Sequence, residues 1–232
     1  MITEVASKDL YLADHGWLQS RFHFSFAEYY NPGNVNFGVL RVLNDDIVAP
    51  GTGFGTHPHR DMEIVSYVVD GELTHKDNMG NERSLGRGNV QYLSAGTGIA
   101  HSEYNNGEDP VRFLQIWILP DRPGHEPAYG DHEFAWEDRK NAWLHLVAPR
   151  DADAQAPVRI NQDANFYATE TDQELAFAVP AGRQAYMVLV EGEADVNGRP
   201  LGTRDALAVQ EEDLVIKPNG KAHVFVVEMA KS

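Results

Sequence analysis

Short runs of β-branched and aromatic residues, each closed by Gly, Asn, Asp or Pro, are the feature that most constrains how this chain can fold. Apolar residues with the 3.6-residue period of an amphipathic helix are hard to find, so the pattern predicts a mainly β protein. Many short strands separated by turns favour a sandwich, jelly roll or closed barrel over a parallel α/β sheet. The predicted strands are 37–44, 63–70, 73–76, 90–93, 113–119, 142–147, 174–179, 185–191, 206–209, 214–216 and 222–229.

An internal repeat indicates that the same β unit occurs twice. Residues 67–72 (YVVDGE) resemble residues 188–193 (VLVEGE), and each is followed by an Asn-Gly-type turn and a final strand rich in Val, Ile and Phe. A chain of 232 residues also suits two domains of ~100–150 residues each. The polar stretch 120–139 contains Pro and holds the predicted boundary, which gives domains 1–132 and 133–232.

Charge and cysteine content exclude several classes of function. Nineteen Lys and Arg against thirty-five Asp and Glu give a net charge of −16, which disfavours direct binding to nucleic acid or to anionic lipid. There is no cysteine, so any metal would be bound by His, carboxylate or water. Because neither a secretory signal nor a run of ~20 apolar residues is present, we expect a cytoplasmic protein that does not enter membranes. We also expect a monomer.

Two pairs of metal-binding residue types alternate along segments that we expect to be extended. His57 and His59 are two apart, so in an extended chain their side chains share a face about 7 Å apart. Pro58 between them predicts a sheet edge, a bulge or a loop entrance, because proline cannot donate to a ladder. His101 and Glu103 repeat the spacing. Either pair alone is usually a surface accident, but together they predict one transition-metal site with positions open to other ligands.

The segments around these pairs resemble the paired motifs of cupins, and Ser94, where cupins often have proline, points to the pirin branch. The resemblance implies an all-β tandem cupin, or bicupin, of two jelly-roll β-barrels packed together. It also implies one metal ion, in the first barrel only, bound by His57, His59, His101 and Glu103. The segments similar to pirins are 15–18 (HGWL), 22–32 (FHFSFAEYYNP), 57–60 (HPHR) and 94–103 (SAGTGIAHSE).

A second carboxylate, Glu63, competes with Glu103 because ordinary cupins take their acidic ligand from that position. The pirin pattern favours Glu103, and we interpret Glu63 as an acid that orients a ligand imidazole or caps a strand. Asp61 is expected to be solvated. The C-terminal domain is predicted to lack metal, because His223 is the only histidine after residue 145. The remaining histidines, predicted to be packed or solvated, are His15, His23, His75, His125, His132 and His145.

A site of three histidines and one glutamate with open positions is typical of oxygenases. Pirin resemblance implies a quercetin 2,3-dioxygenase-like enzyme (quercetinase) that opens a flavonol ring with O₂, with Glu103 accepting the proton of the 3-hydroxyl. Fe²⁺ is the favoured metal, with Zn, Ni, Co, Mn or Cu as alternatives. Some of the following aromatic residues would line the pocket: Trp17, Phe22, Phe24, Phe26, Tyr29, Tyr30, Phe54 and Trp117.

Two other functions stay open at this point. The first is a non-catalytic, metal-dependent regulatory protein that binds a protein partner, since eukaryotic pirins act as transcriptional co-regulators. The second is a structural Zn site or a cupin isomerase, although a purely structural site would normally be closed to other ligands.

Overall fold

The computed structural model describes residues 1–231. Over this range the chain forms twenty β-strands and two short 3-10 helices, at Ser7–Asp9 and Trp136–Arg139. The strands are β1 (Ile2–Val5), β2 (Tyr11–Asp14), β3 (Leu18–Phe22), β4 (Leu40–Val48), β5 (Gly53–His59), β6 (Glu63–Asp70), β7 (Glu72–Asp77), β8 (Glu82–Gly86), β9 (Val90–Ser94), β10 (Ile99–Tyr104), β11 (Val111–Ile118), β12 (Ala128–His132), β13 (Leu144–Pro149), β14 (Val158–Ile160), β15 (Ala164–Thr171), β16 (Leu175–Phe177), β17 (Arg183–Val196), β18 (Arg199–Leu201), β19 (Ala206–Gln210) and β20 (Leu214–Ala230).

The N-terminal unit comprises residues 11–134 and 160–162. It contains a seven-stranded sheet in the order β12-β9-β6-β11-β4-β3-β2 and a four-stranded sheet in the order β5-β10-β7-β8. Every pair of neighbouring strands is antiparallel, as short strands joined by turns allow. One cluster of its apolar core consists of Leu18, Val48, Val68, Leu73, Leu85, Val111 and Phe113.

The C-terminal unit comprises residues 1–10, 135–159 and 163–231. Its nine-stranded sheet has the main order β1-β19-β17-β20-β15-β13-β14, and a cluster of apolar side chains on β17, β19 and β20 forms its core. Residues 1–10 belong to this unit because β1 pairs with β19, whereas the sequence assigned them to the domain 1–132. The division at 132/133 stays a prediction.

The all-β fold class is confirmed, and most predicted strands lie within observed ones. Two of the predicted strands, 214–216 and 222–229, are parts of the single long strand β20. Ten of the described strands were not predicted, namely β1, β2, β3, β5, β8, β10, β12, β14, β15 and β18. The residues of β1 to β3, for example, mix charged and apolar side chains without a clear period of two. Within the described residues, no helix is both long and apolar enough to span a membrane.

Candidate metal centre

Strands β5 and β10 lie side by side and bring three histidines together. The antiparallel register places His101 opposite His57 and Ile99 opposite His59. Because side chains two apart share a face, the His57 and His59 rings project to the same side as the His101 ring. The centroids of the three rings lie 4.6–4.9 Å apart, and each residue offers a ligand atom within 4.8 Å of the other two. The predicted convergence of the two pairs is therefore confirmed for the imidazoles.

The order of strands places His57 and His59 on an edge strand, β5. An edge strand is one of the three positions that Pro58 predicted, the others being a bulge and a loop entrance. Gly53 at the start of β5 lies so close to β10 that an added Cβ would be 2.2 Å from the carbonyl oxygen of Glu103. Glycine at that position lets the two strands that carry the histidines approach each other.

Hydrogen bonds leave the far ring nitrogens of two histidines free to bind a metal. Nδ1 of His57 lies 2.7 Å from the carbonyl oxygen of Gly55, so it donates and the Nε2 lone pair remains available. Nδ1 of His101 lies 3.3 Å from Nδ1 of His75. Nε2 of His101 is buried and has no hydrogen-bond partner. A buried nitrogen without a partner is costly in a folded protein, and a metal ion would satisfy it.

Two of the imidazoles, those of His59 and His101, have pKa values well below the usual range for histidine. Burial, together with the neighbouring His101 and His57, lowers the pKa of His59 to about 4. Burial, with His57 and His75 next, lowers the pKa of His101 to about 3. Since only the neutral ring can ligate, both side chains are ready to bind a cation without first losing a proton.

Glu103 lies next to the histidine group but outside it. Among the described residues, His57, His59 and His101 form the only group of three or more His, Asp or Glu side chains whose potential ligand atoms all lie within 4.8 Å of one another. A shift in the β5–β10 register between His101 and Glu103 displaces this residue. Its buried carboxylate accepts hydrogen bonds from Ser66, Gln91 and Gln115, the last at 2.6 Å. Its role as the fourth ligand and as the proton acceptor stays a prediction.

Glu63 is engaged elsewhere. One carboxylate oxygen accepts from the Tyr92 hydroxyl at 2.7 Å and from the Asn161 backbone N–H at 2.9 Å, and the other accepts from the Ser94 hydroxyl at 2.7 Å. None of these partners is a histidine, so Glu63 does not orient a ligand imidazole as the sequence interpretation supposed. Asp61 is also not simply solvated, because it accepts a hydrogen bond from the backbone N–H of Gly124 at 2.7 Å.

Matches to two family profiles cover most of the chain. Residues 5–118 match Pirin, and residues 145–229 match the quercetinase C-terminal cupin domain. The chain belongs to the pirin family. The tandem cupin architecture implied by the sequence resemblance is thereby confirmed.

Relatives and solved structures agree with this assignment. The pirin is 40% identical over 206 residues to "Quercetin 2,3-dioxygenase" of Escherichia coli (strain K12), covering 88% of this chain and 87% of that one. It is 43% identical over 204 residues to "Pirin-like protein" of Caulobacter vibrioides, covering 88% of each. The crystal structure of YhhW from Escherichia coli matches 100% of this chain and 99% of its own with a TM-score of 0.93 and 36% identity. A second YhhW structure, in complex with nickel(II), matches all of both chains with a TM-score of 0.92 and 36% identity.

A cavity of about 360 Å³ opens beside the histidines of the pirin. His57, His59 and Glu103 form part of its wall. Five of the eight aromatic residues proposed from the sequence line it, namely Trp17, Phe22, Phe26, Phe54 and Trp117. Phe24 is instead buried in the core, and Tyr30 is 76% exposed. The cavity therefore has an apolar lining with metal-binding groups on one side.

Sequence reasoning missed the polar part of the cavity wall. Asn44 and Asp46 on β4 and Gln115 on β11 line the cavity. The carboxylate of Asp46 accepts a hydrogen bond from the Ser20 hydroxyl. Burial raises the pKa of Asp46 to about 8; the Ser20 bond opposes this, and the charges of Asp45 and Glu103 add to it. The signal available was two polar residues spaced two apart in a strand that is otherwise apolar on that face.

His223, the only histidine after residue 145, lies in the C-terminal unit and contacts a glutamate and a tryptophan. Nδ1 of His223 lies 2.8 Å from a carboxylate oxygen of Glu191, and its ring packs edge-on to Trp136. The absence of metal from this unit stays a prediction.

Proposed function

We propose that this pirin is a metal-dependent dioxygenase that opens the ring of a flavonol with O₂, in the manner of quercetin 2,3-dioxygenase. The observation that carries the proposal is the position of the histidine cluster, which forms one side of an aromatic-lined cavity. The name of the Escherichia coli relative, 40% identical, supports the same activity.

His57, His59 and His101 would hold the metal, with Glu103 as the fourth ligand. Three neutral imidazoles and a carboxylate suit Fe²⁺, which we favour, and also Ni, Co, Mn, Cu or Zn. The unpartnered Nε2 of His101 fits such an ion. When bound, a divalent transition metal would lower the pKa of a coordinated hydroxyl and supply the redox chemistry that O₂ needs.

The cavity supports a small aromatic substrate. A volume of about 360 Å³ lies at the lower end of the ~300–1,000 Å³ of small-molecule sites. Trp117 packs edge-on to His59 with ring centroids 5.0 Å apart, so a planar substrate would meet an aromatic wall as it reaches the histidines. A bound aromatic substrate would displace water from the histidines, which would strengthen electrostatic interactions at the reacting atoms.

Glu103 is placed to take the proton of the flavonol 3-hydroxyl. Its carboxylate lines the cavity, and Gln91, Gln115 and Ser66 hold it in one orientation. A carboxylate that is held in place by three donors and also forms part of the cavity wall can accept a proton without rotating. Deprotonation makes the flavonol electron-rich enough to react with O₂.

The test is anaerobic reconstitution of the full-length protein with Fe²⁺, Mn²⁺, Co²⁺, Ni²⁺ or Cu²⁺, followed by quercetin and O₂. We expect loss of quercetin absorbance together with equimolar O₂ consumption and carbon monoxide release. His132→Ala, a change at an exposed histidine outside the cavity, should leave turnover unchanged. No turnover with any metal would refute the proposal and favour the metal-dependent regulatory protein.

A further inference from the structure

A chain of hydrogen bonds extends from His101 away from the cavity. Nδ1 of His101 lies 3.3 Å from Nδ1 of His75, and Nε2 of His75 lies 3.1 Å from a carboxylate oxygen of Asp77. His75 and His101 are at most 1% exposed. The antiparallel pairing of β10 with β7 brings these residues together, because it places Glu103 opposite His75 and His101 opposite Asp77.

The Asp77 carboxylate is held in place by hydrogen bonds from residues other than His75. One of its oxygens accepts from the backbone N–H groups of Met79 at 2.9 Å and Asn81 at 3.1 Å. The other accepts from the Asn81 side chain at 2.8 Å and faces Nε2 of His75. The His75 ring is in turn stacked on Tyr129, with centroids 4.4 Å apart and planes 16° apart. Neither Asp77 nor His75 can rotate without losing several of these contacts.

The direction of each hydrogen bond follows from the carboxylate. An ionised carboxylate only accepts, so Nε2 of His75 carries the proton and donates to Asp77. With its hydrogen on Nε2, the His75 ring offers Nδ1 as an acceptor, so the hydrogen between the two rings belongs to Nδ1 of His101. That leaves the lone pair of His101 on Nε2, the nitrogen that is buried without a hydrogen-bond partner.

We propose that Asp77 and His75 are positioning residues that hold His101 in its Nδ1–H tautomer and aim its Nε2 at the metal. The proposal rests on the metal site of the proposed function but not on the flavonol reaction. A partner on the non-ligating nitrogen fixes the tautomer and orientation of a ligand imidazole and raises its donor strength. Here that partner is a second imidazole, itself polarised by a carboxylate.

The direct test reads the tautomer of His101 in metal-free, full-length protein. Nitrogen-15 NMR of labelled histidines distinguishes Nδ1–H from Nε2–H, and His101→Ala assigns the signal. We expect the Nδ1–H form in the wild type and a shift toward Nε2–H in His75→Leu, which removes the acceptor. An Nε2–H tautomer of His101 in the wild type would overturn the proposal whatever the enzymatic activity.

Metal affinity provides the second readout, measured with Co²⁺ or Ni²⁺ against a competing chelator. His75→Leu should weaken binding ~10–100-fold. His75→Gln, whose side-chain oxygen can accept from Nδ1 of His101, should recover part of that loss and a wild-type-like Co²⁺ absorption spectrum. Tyr129→Phe, which keeps the stacked ring, is the matched control and should bind like the wild type. Equal losses in His75→Leu and His75→Gln, or wild-type affinity in His75→Leu, would contradict a positioning role.

Discussion

Removing the imidazole of His101 should strip the metal from this pirin while leaving the protein folded. His101 is the most buried of the three histidines and has a ring nitrogen that only a ligand would satisfy. The free energy of binding Zn²⁺ at structural sites with four protein ligands is ~10–16 kcal/mol, which is about 2.5–4 kcal/mol for each ligand. At about 1.4 kcal/mol for each factor of ten, His101→Ala should weaken metal binding roughly 10²–10³-fold.

The cost to folding should be much smaller. Truncation leaves a small void and leaves Nδ1 of His75 without the donor that lies 3.3 Å away, which costs about 1–3 kcal/mol. It also removes the unpartnered Nε2, which offsets part of that cost. The sum is a fraction of the ~5–15 kcal/mol by which domains are stable, so the apo protein should remain folded.

Metal stoichiometry by mass spectrometry after dialysis against chelator, together with the circular dichroism melting curve, measures the two effects separately. His223→Ala is the matched control, since His223 is also a buried histidine on a strand but lies in the other unit. It should lose similar stability and no metal. Stoichiometric metal in dialysed His101→Ala would refute the assignment of this ligand.

Three further predictions concern the surroundings of the metal centre. Glu103→Gln should lower kcat for quercetin ~10²–10⁴-fold, and steady-state kinetics with parallel metal analysis separates loss of the proton acceptor from loss of a ligand. Gly53→Ala should lower the free energy of unfolding in urea by about 1–3 kcal/mol, because its Cβ would lie 2.2 Å from a backbone oxygen; Gly55→Ala, whose nearest contact is 3.9 Å, should not. Asp46 has its pKa raised by burial to about 8, so the folded metal-free protein binds a proton that the unfolded chain releases near pH 4. The stability of the metal-free protein should therefore fall as pH rises from about 4 to 8. Asp46→Asn should remove this dependence and be more stable than the wild type at pH 8, as urea titrations at several pH values would test.

Local signals in the sequence were enough to predict an all-β fold, ten of the twenty described strands and the convergence of His57, His59 and His101. A spacing of two in an extended chain fixes which side chains share a face. Pro58 predicted a sheet edge, a bulge or a loop entrance, and it lies on an edge strand. The spatial contact of His57 with His101 could be expected only because two pairs of metal-binding residue types spaced two apart, 57/59 and 101/103, are rare in one chain. Family resemblance, not spacing, supplied the tandem cupin architecture.

Interactions between distant segments were beyond local signals. Glu63 accepts a hydrogen bond from Asn161, which is 98 residues away in the chain. The sequence around neither residue predicts this contact. His75 was predicted to be packed or solvated, and it is buried, but its contact with His101 depends on the β10–β7 register. Asn44 and Asp46 resemble turn residues in composition, yet they lie in a strand whose neighbours shield them from water.

The hydrogen bonds that Asn161 donates to Glu63 limit how the protein can be divided into fragments. Residues 160–162 belong to the N-terminal unit, although the 25 residues before them, 135–159, belong to the C-terminal unit. A truncated product ending at residue 134 would keep all three histidines but leave Glu63 with fewer donors than its buried carboxylate needs. No single cut in the polypeptide separates the two units cleanly, so fragments intended to isolate the metal centre should carry the 160–162 segment as well.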